Sequence, residues 1–210
     1  MNQTSPFFLR SRNLLICAMP CFAMSITVAG AVAAPIVFVH GGSGSGSIGE
    51  IPFPDADFTI TAVGDTENRE DHGAGYFIDH DMASISIDGV GTFDFLSPTR
   101  TFVNNDLSLA GFSRASVSGL DLFNGPTDAA LATWEMLDDI GPLTGLGNLA
   151  QWDDSDVLTT GGVLFFDPSE SFATFQATVV PEPSTFWMVA IGLAGLLCLV
   201  VRERWRRPVV

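Results

Sequence analysis

Ala83-Ser84-Ile85-Ser86-Ile87-Asp88-Gly89-Val90-Gly91-Thr92-Phe93-Asp94-Phe95 is the stretch that decides the fold class. Ile85 and Ile87 alternate with Ser84, Ser86 and Asp88. That period of two places the apolar side chains on one face of an extended strand. Phe93 and Phe95 repeat the pattern, and Asp88-Gly89-Val90-Gly91 between the runs predicts a hairpin connection. Outward from it the same signal recurs. Phe58, Ile60 and Ala62 share one face of residues 57–62, and Leu107 and Leu109 alternate with Ser108 and Ala110. Residues 116–122 and 162–166 continue the style. At 171–179, Ala173, Phe175, Ala177 and Val179 oppose Phe172, Thr174, Gln176 and Thr178. Runs at roughly ten-residue spacing predict an all-β fold, an antiparallel β-sandwich or jelly roll, with many of the phenylalanines inward. The Gly/Ser tract at 41–49 reads as a flexible loop. Residues 126–137 read as a loop or short helical turn followed by a strand that turns Trp134 and Met136 inward.

Composition and charge narrow the function. The 210-residue chain carries a formal net charge of −15 and is 47% hydrophobic. All nine basic residues are arginine, and 22 of the 24 acidic residues fall between Glu50 and Glu170, where only Arg69, Arg100 and Arg114 offset them. Such a surface repels phosphate backbones, which excludes nucleic acid as a partner. Cys17, Cys21 and Cys198 lie near the two ends, so the middle has no disulfide framework and no thiolate site.

The ends read as addresses. Residues 1–33 have the pattern of a secretory signal peptide: Arg10 and Arg12, then an apolar run, then Ala31-Val32-Ala33, with cleavage after Ala33. The Sec translocon and signal peptidase are the partners this implies. At the other end Val180-Pro181-Glu182-Pro183-Ser184-Thr185 precedes 16 uncharged residues, 186–201, and then Arg202, Arg204, Arg206 and Arg207. A helix of that length spans roughly 24 Å, enough for a bilayer core. Trp187 and Trp205 bracket it at interfacial positions, and the arginines would hold the tail in the cytoplasm as a stop-transfer signal. One C-terminal transmembrane helix is therefore expected, with residues 34–179 forming the exported domain and 180–207 the terminal signal.

This order of proline-flanked motif, apolar helix and arginine tail resembles the PEP-CTERM sorting signal of Gram-negative bacteria. The resemblance implies recognition by an exosortase, a membrane transpeptidase, with a cut at or near Pro181-Glu182-Pro183. It implies transit through the inner membrane and delivery to the cell surface or an exopolysaccharide matrix. Two prolines keep the motif extended and stop the helix from starting early, which suits capture by a processing enzyme. The turns at Ile140-Gly141-Pro142 and 159–162 and the closing Ala/Thr/Phe strand also look like other exported PEP-CTERM ectodomains.

Candidate chemistry in the middle is sparse. Pro35-Ile36-Val37-Phe38-Val39-His40-Gly41-Gly42 resembles the strand and turn of an α/β-hydrolase oxyanion hole, and Gly111-Phe112-Ser113-Arg114-Ala115 an imperfect nucleophile elbow. That enzyme needs a histidine after the serine, and His40, His72 and His80 all precede Ser113. Asp71, His72, Asp79, His80 and Asp81 offer metal-ligand types without a ligand spacing. The clusters Asp138-Asp139 and Asp153-Asp154-Ser155-Asp156 suit a weak calcium site, with Asp153, Asp154 and Asp156 as ligands, though neither matches an EF-hand loop. Trp152, flanked by Gln151 and Asp153, suits stacking on a sugar, with Trp134 and Tyr76 as further candidates. The leading expectation is a non-catalytic matrix protein without a required cofactor. A carbohydrate- or ice-binding adhesin is the alternative, and a secreted hydrolase comes third.

Overall fold

The computed structural model describes residues 34–115 and 120–181. The expected leader and the expected transmembrane helix at 186–201 lie outside the described residues. Among the described residues no helix is long and apolar enough to cross a membrane.

Among the described residues eleven strands follow one another: β1 Pro35–Ile48, β2 Ile51–Asp71, β3 Gly75–Ile87, β4 Gly91–Asp94, β5 Thr99–Asn104, β6 Leu109–Arg114, β7 Asp121–Thr127, β8 Ile140–Leu149, β9 Val157–Thr159, β10 Gly162–Phe166 and β11 Ser169–Val179. The all-β expectation holds, and the sandwich does not. β1, β2, β3, β5, β6, β7, β8 and β11 pair in that order, and β11 pairs back onto β1. The sheet is thus closed into an eight-stranded antiparallel barrel, and among the described residues no second sheet packs across it. A sandwich and a barrel share the same period-two alternation, because both have one dry and one wet face per strand. Only the last pairing, Ile36 to Val179 through Gly41 to Thr174, separates them.

A smaller loop of strands extends one end. Beyond Gly44 the partner of β1 on that side becomes β10, with Gly46 opposite Phe166. β9 follows β10. Phe95, just past β4, bridges Thr159, and Thr160 N–H donates to Asp94 O at 2.9 Å. The Asp88–Gly91 hairpin forms as expected between β3 and β4, closed by Val90 N–H to Ile87 O at 3.0 Å.

An eight-stranded interior is narrow enough for side chains to fill, and here they fill it. It divides into two apolar clusters. At the end with the small loop, Phe53, Phe58, Phe112, Phe123, Trp152, Leu164 and Phe166 pack together. At the other end Ile36, Phe38, Ile78, Val103 and Phe175 meet Leu131, Trp134 and Met136. These last three come from the β7–β8 connection, which plugs that end. Residues 129–132 form the expected short helical turn, a 3-10 turn capped by Asp128, whose carboxylate accepts Ala130 N–H at 2.8 Å. Residues 133–137 form no strand, contrary to expectation. Trp134 and Met136 are nonetheless inward, and Trp134 Nε1–H donates to Asp138 O at 3.0 Å.

The Gly/Ser tract is likewise a correction. Residues 41–48 are the second half of β1, paired to β2. The glycines are there for space. A Cβ on Gly42 would sit 2.8 Å from the Phe58 ring and 3.0 Å from Phe123, and one on Gly44 would meet Leu149 at 2.4 Å. Strand backbone without side chains is what lets the phenylalanines of neighbouring strands meet across the barrel.

The inside/outside phase is directly testable. Phe166 is fully buried, and Phe172 is 57% exposed. Phe166→Ala is expected to cost about 3–5 kcal/mol. Phe172→Ala should change stability by no more than about 0.5 kcal/mol. Denaturant unfolding of residues 34–180 measures both; similar losses would contradict the barrel phase.

Candidate functional site

Two places combine chemistry with geometry. The first is the barrel interior between the apolar clusters. His40 on β1 is fully buried, and its Nε2 lies 3.0 Å from Thr101 Oγ1. His80 on β3 places Nε2 3.0 Å from the same oxygen and Nδ1 2.9 Å from Thr99 Oγ1. Both rings lie against Phe112, His80 stacked at 5.6 Å and His40 edge-on at 5.8 Å. With both rings neutral, the protons satisfy this chain in either direction: from His40 Nε2–H through Thr101 O–H to His80 Nε2, with His80 Nδ1–H on Thr99, or the reverse. His40 Nδ1 is left buried without a partner.

Burial sets the charge state. It lowers His40 from 6.5 to about 3. It lowers His80 to about 3 as well, helped by repulsion from His40 and Arg100. His80 reaches the surface because β3 is irregular there. Gly64 of β2 pairs with His80 while Val63 pairs with Met82, so one extra residue sits in β3. The bulge turns Met82 outward and Ala83 back in. Beside it lies a polar cavity of about 370 Å³ lined by Glu67, Asn68, Arg69, Glu70, Asp79, His80 and Asp81.

The second place is the chain exit. β11 runs beside β1 until Val179 lies opposite Ile36. Val180 N–H then donates to Pro35 O at 2.8 Å, and Val179 N–H to Asp139 Oδ1 at 2.7 Å. Pro181 follows, exposed. At the start of the fold Ala34 N–H donates to Thr66 Oγ1 at 3.1 Å. Entry and exit of the described chain therefore share one end of the barrel, the end that Trp134 and Met136 plug.

Several expected site residues fall elsewhere. Trp152 is 2% exposed and packs on Phe166 with ring centroids 4.9 Å apart. Its faces are covered, which corrects the sugar-stacking assignment. Trp134 is buried too, and Tyr76 carries the Arg69 guanidinium 4.3 Å above its ring. Asp153, Asp154 and Asp156 are exposed, and among the described residues no three His, Cys, Asp or Glu side chains converge on a metal-sized point. The loop is instead organised by a cation of the chain itself: Arg114 Nη1 donates to Asp156 O at 2.6 Å and to Ser155 Oγ at 3.2 Å. Ser113 is 5% exposed on β6. The three histidines hydrogen-bond elsewhere, His72 to Val103 O and the other two to threonines. Sequence reasoning missed the His40–Thr101–His80 chain. His40 shares the inward phase of Ile36 and Phe38, which was the available signal, but His80 falls in the outward phase of Ser84 and Ser86 and is turned inward only by the bulge. Ala31, Ala33, Glu182, Pro183, Ser184, Thr185, Arg202, Arg204, Arg206 and Arg207 lie outside the described residues.

The buried pair gives a pH dependence of definite sign. Each imidazole binds its proton more weakly in the barrel than in the unfolded chain. As pH falls below 6.5 the unfolded chain takes up protons the barrel refuses, so stability falls until about pH 3. In His80→Gln one of these protons is gone. Its stability should fall less steeply than that of the parent between those limits, by up to about 1.4 kcal/mol per pH unit. Parallel curves of unfolding free energy against pH would contradict the buried neutral pair. Asp121, whose carboxyl burial pushes up, is common to both proteins and drops out of the comparison.

Comparison with known families adds the second half of the exit. Neither curated proteins nor solved structures give a match to the chain. A family model, the PEP-CTERM protein-sorting motif, matches residues 179–207. The motif begins on the last residue of β11, where the barrel hands the chain on. It implies an exported, membrane-transiting protein processed by an exosortase. The chain carries a PEP-CTERM protein-sorting motif at its C-terminal end, joined directly to the closing strand of an acidic eight-stranded barrel.

Proposed function

We propose that the chain is a non-catalytic structural component of the cell surface or extracellular matrix of a Gram-negative bacterium, associated with exopolysaccharide or biofilm. The sorting motif over 179–207 carries this reading. The signal peptide at 1–33 brings the chain into the Sec translocon, and the apolar run at 186–201 holds it at the inner membrane while the arginines stay inside. A nucleophile of the exosortase attacks a peptide carbonyl at Pro181-Glu182-Pro183, forming an acyl-enzyme and releasing the segment beyond as a new amine. Water or an acceptor amine then displaces the enzyme, leaving the barrel with a free carboxylate or a new amide at its C-terminus.

The described residues support a cargo that acts by its surface. Arg69 pairs with Glu135 at 3.2 Å and Arg100 with Asp79 at 2.9 Å, while Arg114 serves the 155–156 backbone. The three arginines are thus engaged, and the acidic excess remains for the solvent. That suits a soluble domain in a hydrated, hydroxyl-rich matrix. The histidines are committed to threonines and backbone in the fold, which supports the non-catalytic reading. A carbohydrate-binding adhesin is the second reading. The polar cavity beside His80 favours it, because Asn68 with carboxylates and a guanidinium can hydrogen-bond sugar hydroxyls.

The test is location. Glu182→Ala, and separately deletion of residues 202–210, should leave the barrel in the membrane fraction of the native host instead of the medium or matrix. Recovery of the Glu182→Ala chain from the matrix in parental amounts would overturn the proposal.

A further inference from the structure

We infer that the folded barrel restrains its own processing: the hydrogen bonds of Val179 and Val180 form a latch that must open before the sorting motif can be seated by the exosortase. The inference rests on the reading of the motif as a processing site.

An enzyme that cuts a peptide holds it extended and uses backbone groups on both sides of the bond. On the barrel side of Pro181-Glu182-Pro183 the two nearest residues with N–H groups are Val179 and Val180. Both N–H groups are already taken. Val180 donates to Pro35 O at 2.8 Å, continuing the β1–β11 ladder one step past its last residue pair. Val179 donates to Asp139 Oδ1 at 2.7 Å on the opposite side. There the ladder with β8 has ended, since its last pair is Ala177 with Ile140. The Asp139 carboxylate accepts a hydrogen bond that no further β8 residue is present to accept. Its own position is held by the loop plug: Trp134 Nε1–H fixes Asp138 O at 3.0 Å, and the indole sits edge-on to Phe175 at 5.5 Å. Val179 also packs against the apolar cluster at that end.

Reach tightens the constraint. Six residues, Val180 to Thr185, separate the end of β11 from the apolar run that begins at Phe186. Fully extended they cover about 20 Å. An enzyme working at the membrane face therefore meets the barrel at once and gains little room unless β11 frays. Strand ends open locally far more readily than the fold as a whole. Asp139 is exposed and bonds Val179 of β11, so it acts as a positioning residue for the strand end.

The experiment follows the full-length chain in its native host by pulse–chase, reading conversion from the long to the shortened form. Three variants are compared: Asp139→Ala, a six-residue Gly/Ser insertion between Val180 and Pro181, and Glu182→Ala. Amide exchange at Val179 and Val180 is read on the purified parent and Asp139→Ala chains. Asp139→Ala is expected to speed both exchange and processing roughly fivefold, the gain in opening from losing one ordinary hydrogen bond. The insertion should speed processing at least as much without changing exchange of Val179. If Glu182→Ala blocks processing while the other two variants match the parent, the latch is overturned and the motif reading stands. If Glu182→Ala is processed like the parent, the motif reading falls and takes the latch with it. Unprotected Val179 and Val180 amides in the parent would overturn the latch by themselves.

Discussion

The structure depends on one seam, the antiparallel pairing of β11 with β1 from Ile36–Val179 to Gly41–Thr174. Without it the sheet is an open ribbon with two long unpaired edges, exposed to pairing with other chains. With it the ring closes, the inward residues of eight strands face one another, and an interior exists to be filled. The seam also joins the first described strand to the last. It is a contact between residues more than 130 apart in sequence, so its loop-closure cost is lowered by every pairing made between them.

What fills the ring is a match of large and absent side chains. Phe58, Phe123, Phe166 and Leu149 reach inward where β1 presents Gly42 and Gly44. Either half alone is unremarkable: a glycine run suggests a linker, and a phenylalanine suggests any core. Between the two apolar clusters the interior turns polar with His40, Thr101, His80 and Thr99. Such a chain is tolerated in low dielectric because nearly every group has a partner and both rings stay neutral. It specifies the alignment of β1, β3 and β5, since an apolar interior would accept neighbouring registers more easily.

The same seam relates cargo to address. The sorting motif starts at residue 179 and the ladder ends there, so the label is attached to the one pairing that closes the fold. Folding and sorting thus share a segment. An acidic barrel with its three arginines internally engaged presents a surface that favours hydration and repels phosphate groups. The bulge at His80 and the polar cavity beside it interrupt the wall on β3.

Much of this was legible without coordinates. Period-two alternation in 57–62, 83–95 and 171–179 is local, so it gave strand positions, inward faces and the Asp88–Gly91 hairpin. The address was legible because a signal of this kind is read as linear chain: proline-flanked motif, apolar run and arginines in order. Closure was not legible, because sandwich and barrel strands carry the same alternation and differ only in which edge meets which. The Gly/Ser tract was misread for a related reason, since a glycine's purpose is written in the side chains opposite it. Trp152 looked like a sugar platform beside two polar neighbours, yet its ring faces Phe166 because the β8–β9 connection folds inward. Local chemistry along the chain determined which residues extend, which face is dry and where the protein is sent. Tertiary structure decided that the ring closes, which voids the phenylalanines fill and which histidines meet, because each depends on contacts between strands distant in sequence.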